Sequence, residues 1–242
     1  APSIKAKKYY QQLLPDTPIQ IVHNGIDQNN FISMPVTKKE LLSLRKEFEI
    51  KKDDKILIFV GRIGKEKRVL ELFDVLCPLL KKEKNIKMIF VGDGPYLKDL
   101  VKKAAELYLS KEIIFTGFVN WELIHRLYLI SDIFVTASLS EVHPMTLIEA
   151  CICNLPIIAR RDDSYLDLVQ EGKNGFLVDN DEDIAEKAHY LLKNEEMRKK
   201  FYGSLFLALI LTIALSVNKA NAAGIFYTEA TYPAIATGVK SI

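Results

Sequence analysis

The stretch IFVTASLSEVHPMTLIEA, residues 133–150, has the pattern of a strand, a loop and a helix in immediate succession. Its first four residues are β-branched or aromatic, which predicts a buried strand. Pro144 suits the first turn of a helix, because a backbone N–H at that position would have no intrahelical acceptor. The stretch therefore predicts a strand whose carboxyl end leads into the start of a helix.

Glu141 and Glu149 lie on either side of this predicted helix start, with seven residues between them. We expect Glu141 in the loop and Glu149 about a turn and a half inside the helix. The free N–H groups of the first turn and the helix dipole form an anion site, and a carboxylate accepts hydrogen bonds from paired hydroxyls such as a ribose diol. The pattern favours a pocket for a phosphorylated sugar or nucleotide. A capped, solvated helix with two incidental glutamates is the alternative that this stretch leaves open.

Apolar runs of strand length alternate with amphipathic stretches of helical length between residues 55 and 195. The predicted strands cover 56–60, 88–91, 113–116, 133–136, 156–159 and 175–178. The predicted helices cover 66–83, 95–109, 121–130, 144–153, 163–171 and 181–194. Strands that are apolar on both faces and are each followed by a helix indicate an α/β fold, with a parallel sheet covered by helices on both faces. Ligands of such sheets bind at the carboxyl ends of the strands.

Three further loops follow predicted strands and therefore fall at this edge. The loop over residues 61–67 combines glycines with Arg62 and Lys67, and both cations can bind phosphate oxygens; a solvated basic turn is the alternative. The Gly-Asp-Gly-Pro loop over 92–95 is interpreted as a tight turn. The Thr-Gly-Phe-Val loop over 116–119 is compatible with a turn, or with backbone amides and an aromatic ring presented to a nucleobase.

Composition and charge exclude several classes of protein. An apolar content of 49% and a charged content of 26% are typical of a globular chain, and 242 residues can hold one large α/β domain. Lys+Arg 33 against Asp+Glu 31 is close to neutrality, which argues against nucleic acid as the main partner. Three cysteines are too few for a disulfide framework, and their spacing is not that of a zinc site. A reducing cytosol is the simplest compartment for residues 1–196.

Residues 1–36 have the pattern of a connector rather than of a domain start. An opening helix is followed by a predicted strand over 19–22, the turn-forming run 23–27 and a loop with Pro35. The run TKKE at 37–40 resembles a capping box, which predicts a helix to about Phe48.

Taken together, these motifs resemble in order and spacing the C-terminal, donor-binding domain of retaining glycosyltransferases of family four. Enzymes of this family have a GT-B fold with two Rossmann-like halves. The motifs that carry the resemblance are VGR at 60–62, EK at 66–67, VGDGP at 91–95, TG at 116–117, the Glu141/Glu149 pair and LPIIA at 155–159. The resemblance covers about residues 10–195. It implies a donor-binding domain over 37–196, preceded by a connector and the remnant of an N-terminal half over 1–36.

The resemblance also implies roles for single residues. It implies catalytic roles for Arg62, Lys67 and Glu141. It implies that the donor is bound by Gly61, Thr116, Gly117, Phe118, His143, Met145, Thr146 and Glu149. The cations would hold the donor's diphosphate, Glu141 would contact the transferred sugar, Glu149 would bind the ribose, and residues 116–118 would lie along the base. Transfer would rest on electrostatic stabilisation of the leaving diphosphate, with no metal and no cofactor.

The partners implied are a nucleotide-diphosphate sugar, with UDP-sugar favoured, and a lipid or saccharide acceptor. Residues 143–145 and 160–163 show a faint similarity to bacterial enzymes that glycosylate diacylglycerol. Two alternatives stay open: a nucleotide-sugar epimerase of the same architecture, and a non-catalytic nucleotide-binding module or envelope protein whose function lies in the tail.

The chain departs from the family pattern in two ways. The family usually has an aromatic residue and then a glycine where this chain has His143 and Pro144, and proline cannot offer its N–H to a phosphate. By the resemblance, we expect the N-terminal half, which carries the acceptor site, to be missing from this sequence. We therefore expect this chain to be inactive by itself.

Residues 197–242 do not follow the family pattern. A basic start at 197–200, an apolar run over 201–217 and Ala-Asn-Ala at 220–222 resemble a secretory signal peptide, and a hydrophobic membrane-anchor helix is the alternative. Residues 223–242 are expected to be irregular. We interpret the sequence as two joined reading frames, with a membrane-anchored enzyme as the alternative. The donor-binding domain is expected in the cytoplasm, at most peripheral to the inner face of the membrane.

Overall fold

Six parallel strands form one sheet in the order β3-β2-β1-β4-β5-β6. The strands are β1 (Lys55–Val60), β2 (Ile86–Val91), β3 (Ile113–Gly117), β4 (Ile133–Thr136), β5 (Ile157–Arg160) and β6 (Gly175–Val178). The computed structural model describes residues 1–26, 31 and 36–201, without the side chain of Glu122. All six predicted strands are present and every neighbouring pair is parallel, which confirms the Rossmann-like α/β fold.

Helices cover both faces of this sheet. The helices of the described residues are α1 (Ile4–Leu13), α2 (Lys38–Glu47), α3 (Val69–Lys82), α4 (Leu97–Glu106), α5 (Trp121–Leu129), α6 (Met145–Ile152) and α7 (Glu182–Lys193), followed by the short helical stretch 195–201. Helices α3, α4 and α7 pack into the core on one face, and α5 and α6 pack into the core on the other. The capping box predicted before α2 is present, since Thr37 and Glu40 each bond the other's backbone N–H.

The strand β1 shows why the apolar runs form a doubly covered sheet. Leu57 and Phe59 belong to the core with α3, whereas Ile56, Ile58 and Val60 belong to the core with α6. Side chains alternate between the two faces along a strand, so both faces of β1 must be apolar when helices cover both. Each such buried side chain contributes roughly 1.5–3 kcal/mol.

Two predicted elements are wrong. Residues 19–22 do not form a strand, and Val22 donates its N–H to the Ala1 carbonyl at 2.8 Å. Residues 163–171 do not form a helix, and 163–168 form successive turns. The carboxylate of Asp162 accepts hydrogen bonds from the backbone N–H and the hydroxyl of Ser164, and such local side-chain bonds compete with helix formation.

The other five predicted helices are present, with ends that differ by a few residues. One of these differences bears on the site: α3 was expected to begin near residue 66 and begins at Val69. A short 3-10 helix, Lys65–Lys67, precedes it, and Arg68 adopts a left-handed conformation with φ of 51°. This break places Lys67 in the loop rather than in the helix.

The packed unit reaches residue 201, beyond the predicted boundary at 196. Residues 195–201 are helical, and Phe201 is fully buried with its ring 5.4 Å from that of Phe176. The buried guanidinium of Arg198 donates to the carbonyls of Leu191 and Leu192. The remainder of the predicted hydrophobic helix and residues 223–242 lie outside the described residues. Within the described ranges, none of the helices has the length and apolar character needed to cross a bilayer.

Candidate functional site

Three loops meet at the carboxyl edge of the sheet, after β1, β2 and β3. Ile63 donates its N–H to the Asp93 carbonyl at 2.9 Å and accepts from the N–H of Tyr96 at 3.0 Å. Gly92 donates its N–H to the Gly117 carbonyl at 2.9 Å. These backbone bonds bring together the loops over 61–67, 92–95 and 116–119, as the predicted sheet edge requires.

The glycines of the 92–95 loop allow this close approach. A Cβ atom on Gly92 would lie 2.0 Å from the Gly61 carbonyl oxygen, and one on Gly94 would lie 2.4 Å from the Ile63 carbonyl oxygen. Both glycines also have positive φ, at 131° and 157°. The tight turn predicted here therefore acts as a backbone support for the 61–67 loop.

Lys67 and Glu141 are in direct contact. The ammonium nitrogen of Lys67 lies 2.5 Å from Oε1 of Glu141, and the Ser138 hydroxyl donates to the same oxygen at 2.9 Å. The Ser140 hydroxyl donates to the Glu66 carbonyl at 2.7 Å, so the two loops are joined at two points. Two of the three residues predicted to be catalytic thus lie at one place, where the loops after β1 and β4 meet.

Arg62, the third of these residues, has a side chain that is 66% exposed. Its Nη1 atom lies 3.6 Å from the Glu66 carboxylate. This exposed pairing constrains the guanidinium little, because surface ion pairs contribute at most about 1 kcal/mol. The guanidinium can therefore turn towards an anion bound beside the 61–67 loop.

The helix α6 starts at Met145, one residue after the predicted start, and Pro144 is its N-cap with an extended backbone. The first N–H groups of any helix lack intrahelical acceptors, so the amides of Met145 and Thr146 lie where an anion can accept from them. Pro144 itself offers no N–H there. The Met145 side chain is 37% exposed at this edge.

Glu149 lies in the second turn of α6 and is nearly buried, at 6% exposure. The Tyr128 hydroxyl donates to its Oε2 atom at 2.9 Å. Burial raises the pKa of Glu149, and hydrogen bonds from Tyr128 and Trp121 oppose that rise. Tyr128 was not predicted as a site residue, because a tyrosine in an amphipathic stretch has the pattern of an ordinary core residue.

The end of β3 carries the remaining predicted contacts for the donor. The pairing register of β2 with β3 shifts at Thr116, whose hydroxyl donates to the Gly117 carbonyl at 2.9 Å. Gly117 has φ of 67°. The ring of Phe118 is 77% exposed, so one aromatic surface is available for stacking at this edge.

His143 is buried against the N-terminal segment of the chain. Its ring stacks on that of His23 with centroids 5.2 Å apart, and Asn24 donates to its carbonyl at 3.4 Å. Neither ring nitrogen has a hydrogen-bond partner among the described residues. Burial lowers the pKa of His143 to about 4, with nearby His23 acting in the same direction.

Lys5 makes a second link between the N-terminal segment and the Glu141 loop. Its ammonium donates to the Leu139 carbonyl at 2.6 Å and pairs with Asp162 at 2.8 Å. Residues 1–26 therefore touch the loops after β4 and β5, close to Glu141. The predicted role of this segment as an interdomain connector stays a prediction.

Carboxylates of the acidic run 179–183 pair with arginines. Asp181 pairs with Arg68 at 2.5 Å and with Arg160 at 2.7 Å, and Asp179 pairs with Arg161 at 2.7 Å. Across the described part of the chain, no three His, Cys, Asp or Glu side chains are grouped so that they could hold a metal ion.

The fold and this edge correspond to one half of a GT-B glycosyltransferase. Residues 42–203 match the family model described as "Glycosyl transferases group 1", which is more than half of the chain. The chain therefore belongs to the group 1 family of glycosyl transferases.

Curated relatives support this family. An alpha-monoglucosyldiacylglycerol synthase of Acholeplasma laidlawii is 30% identical over 197 residues, which are 80% of this chain and 50% of that protein. An N-acetyl-alpha-D-glucosaminyl L-malate synthase of Bacillus anthracis is 28% identical over 192 residues, 78% of this chain and 48% of that protein. The chain spans about half the length of these relatives.

Solved structures share the fold. The crystal structure of Anabaena HepE in complex with UDP and glucose superposes with a TM-score of 0.78 at 19% identity, over 93% of this chain and 62% of that one. The C-terminal domain of the group 1 glycosyl transferase LpcC from Francisella tularensis superposes with a TM-score of 0.65 at 26% identity. That comparison covers 77% of this chain and 97% of the LpcC domain.

Proposed function

We propose that this chain is the donor-binding part of a retaining glycosyltransferase that uses a nucleoside diphosphate sugar, with uridine as the base. The observation that carries the proposal is the contact between Lys67 and Glu141 at the edge where α6 begins. It brings a cation for phosphate and a carboxylate for sugar hydroxyls to one place.

The diphosphate is assigned to the space between the 61–67 loop and the start of α6. Arg62 and Lys67 supply two positive charges, and the first amides of α6 supply hydrogen-bond donors. These groups would stabilise the negative charge that develops on the departing diphosphate. No metal ion is required in this proposal, because fixed cations and amides perform that task.

The nucleoside is assigned to Glu149 and the 116–118 loop. The carboxylate of Glu149 accepts hydrogen bonds from the ribose hydroxyls, and the exposed ring of Phe118 lies along the base, with Thr116 and Gly117 beside it. Uridine is favoured because Anabaena HepE, which shares this fold, was solved with UDP.

The acceptor is proposed to be a lipid or a saccharide. The 30% identity to an alpha-monoglucosyldiacylglycerol synthase favours a lipid of the diacylglycerol type. Transfer is expected to need the half of the GT-B fold that holds the acceptor, so the 242-residue chain should bind the donor nucleotide without turning it over. The three free cysteines agree with a reducing, cytoplasmic location, at most peripheral to a membrane.

Isothermal titration calorimetry with UDP tests the proposal. We expect the 242-residue chain to bind UDP, and Arg62→Ala and Glu149→Ala each to weaken binding by about tenfold, as expected for one charge-assisted hydrogen bond. Lys102→Ala is the matched control, since Lys102 is an exposed lysine of α4 that pairs with Glu106. Binding that survived both site substitutions, or that Lys102→Ala weakened equally, would place the nucleotide elsewhere.

A further inference from the structure

We infer that Tyr128 is a positioning residue for recognition of the donor's ribose, because its hydroxyl holds the Glu149 carboxylate in the orientation that the ribose diol needs. The inference rests on the proposed function, in which Glu149 binds the ribose. It adds a residue from α5 to a site otherwise built from loops and from α6.

The Tyr128 hydroxyl is a fixed hydrogen-bond donor. The side chain is fully buried, and its ring packs 6.4 Å from both the Phe31 and the Phe134 rings. Its hydroxyl lies 2.9 Å from Oε2 of Glu149 and 3.1 Å from the carbonyl oxygen of Thr146. A ring held on two sides cannot move its hydroxyl without repacking the core between the sheet and α6.

The Glu149 carboxylate needs such a donor. It is 6% exposed, and burying a charge is unfavourable unless hydrogen bonds compensate for the lost water. Two carboxylate oxygens together accept about four hydrogen bonds, so the bonds from Tyr128 and Trp121 still leave about two acceptor positions for the ribose hydroxyls. The bond also favours the ionised carboxylate, which accepts from both hydroxyls, over the protonated group, which cannot.

A purely structural role for the Tyr128 hydroxyl makes a different prediction. The hydroxyl has a single proton to donate, and in a structural role that proton would go to the Thr146 carbonyl and tie α5 to the first turn of α6. Removing such a hydroxyl would affect stability and all ligands alike. A positioning hydroxyl affects ligands according to their ribose hydroxyls. The preference for UDP over 2′-deoxy-UDP therefore separates the two roles.

The experiment measures the affinities of UDP and 2′-deoxy-UDP for the 242-residue chain and its variants by calorimetry. We expect the unsubstituted chain to prefer UDP by at least about tenfold, the value of one hydrogen bond to a charged group. In Tyr128→Phe, which keeps the ring and removes the hydroxyl, we expect the preference to fall to about twofold or less, with UDP binding weakened and 2′-deoxy-UDP binding nearly unchanged. Phenylalanine fills the same space, and the thermal unfolding midpoint checks that the variant is folded.

Two comparisons control the result. Tyr165→Phe removes the hydroxyl of another buried tyrosine, which donates to the Ser138 carbonyl at 2.9 Å, and should keep the tenfold preference. Glu149→Gln should abolish the preference for UDP. Adding Tyr128→Phe to that variant should change the preference no further, because the effects of substitutions at residues that act through one another are not additive.

Each outcome tests either the role of Tyr128 or the proposed function. In one outcome, the chain prefers UDP over 2′-deoxy-UDP, Glu149→Gln abolishes that preference and Tyr128→Phe preserves it. This outcome would overturn the role of Tyr128 and leave the proposed function standing. A chain that does not bind UDP, or whose binding ignores both the ribose hydroxyl and Glu149→Gln, would overturn the proposed function itself. If both Tyr128→Phe and Tyr165→Phe lost the preference for UDP, the preference would depend on general packing. That result would also overturn the role of Tyr128.

Discussion

The ammonium of Lys67 lies 2.5 Å from the carboxylate of Glu141, and this contact joins the loops after β1 and β4. These two strands are neighbours at the point where the strand order of the sheet changes direction, β3-β2-β1 on one side and β4-β5-β6 on the other. In open α/β sheets, ligands bind in the crevice at such a switch point. Under the proposed function, a diphosphate bound at this edge would compete with Glu141 for the Lys67 ammonium.

This competition predicts opposite effects for the two partners of the pair. Glu141→Gln should strengthen UDP binding by about threefold, because the Lys67 ammonium no longer has to leave a carboxylate; the effect is small since the pair is partly exposed. Lys67→Ala should weaken UDP binding by about tenfold, since a cation at the phosphates is lost. Calorimetry in low and high salt measures both, and salt should reduce both changes. Weaker binding in Glu141→Gln would mean that the carboxylate itself supports the nucleotide.

The Gly92 contact predicts a large loss of stability for a single methyl group. In Gly92→Ala, the new Cβ would lie 2.0 Å from the Gly61 carbonyl oxygen at a φ of 131°, so the loops after β1 and β2 must separate. We expect the free energy of unfolding in urea to fall by at least about 2 kcal/mol. In the control Gly172→Ala, the Cβ would meet no described atom within 4 Å, and only the positive φ of 70° costs about 1 kcal/mol. Equal losses in the two variants would contradict the proposed contact between the loops.

The buried ring of His143 predicts a loss of stability at low pH. Its pKa is lowered from 6.5 to about 4, so the folded protein holds the neutral ring where an unfolded chain would bind a proton. Above pH 6.5, His143 does not lower the free energy of unfolding. As the pH falls from 6.5 to about 4, that free energy falls by up to about 3 kcal/mol because of this residue. Nearby Asp167 favours the charged ring and His23 disfavours it.

The variant His143→Phe isolates this effect from the carboxylates that titrate in the same range. Phenylalanine can keep the stacking on His23 and cannot be protonated. We expect the free energy of unfolding of the variant, relative to the unsubstituted chain, to improve by about 2 kcal/mol or more between pH 7 and pH 4.5. A difference that stayed constant between the two pH values would show that His143 titrates normally in the fold.

The sheet was predictable from the sequence because β1 and its neighbours are apolar on both faces, a pattern that few other structures require. The absence of the expected helix over 163–171 was not predictable, because the hydrogen bonds of Asp162 with Ser164 and Lys5 override its amphipathic pattern, and Lys5 lies 157 residues away. The pairing of Lys67 with Glu141, 74 residues apart, cannot be read from spacing, and only the family resemblance placed both in one site. Tyr128 lay outside that resemblance, so its bond to Glu149 became visible only in the structure.

The helical residues 195–201 give the last prediction, which concerns where the packed unit ends. Phe201 is fully buried in the core with α3 and α7, and its ring lies 5.4 Å from that of Phe176. Phe201→Ala should therefore lower the free energy of unfolding by about 3–5 kcal/mol, the usual loss for a buried phenylalanine. Phe118→Ala, at a site 77% exposed, is the matched control and should change it by less than about 0.5 kcal/mol.

Truncation separates this packing from the tail that follows it. A chain ending at residue 201 keeps Phe201 and the bonds of Arg198 to the carbonyls of Leu191 and Leu192, whereas a chain ending at residue 196 loses both. We expect the shorter chain to unfold several degrees earlier than the longer one, because a loss of 3–5 kcal/mol in a domain of this size moves the thermal midpoint by roughly 6–20 °C. Equal midpoints for the two truncated chains, together with a neutral Phe201→Ala, would restore the boundary at 196 that the sequence predicted.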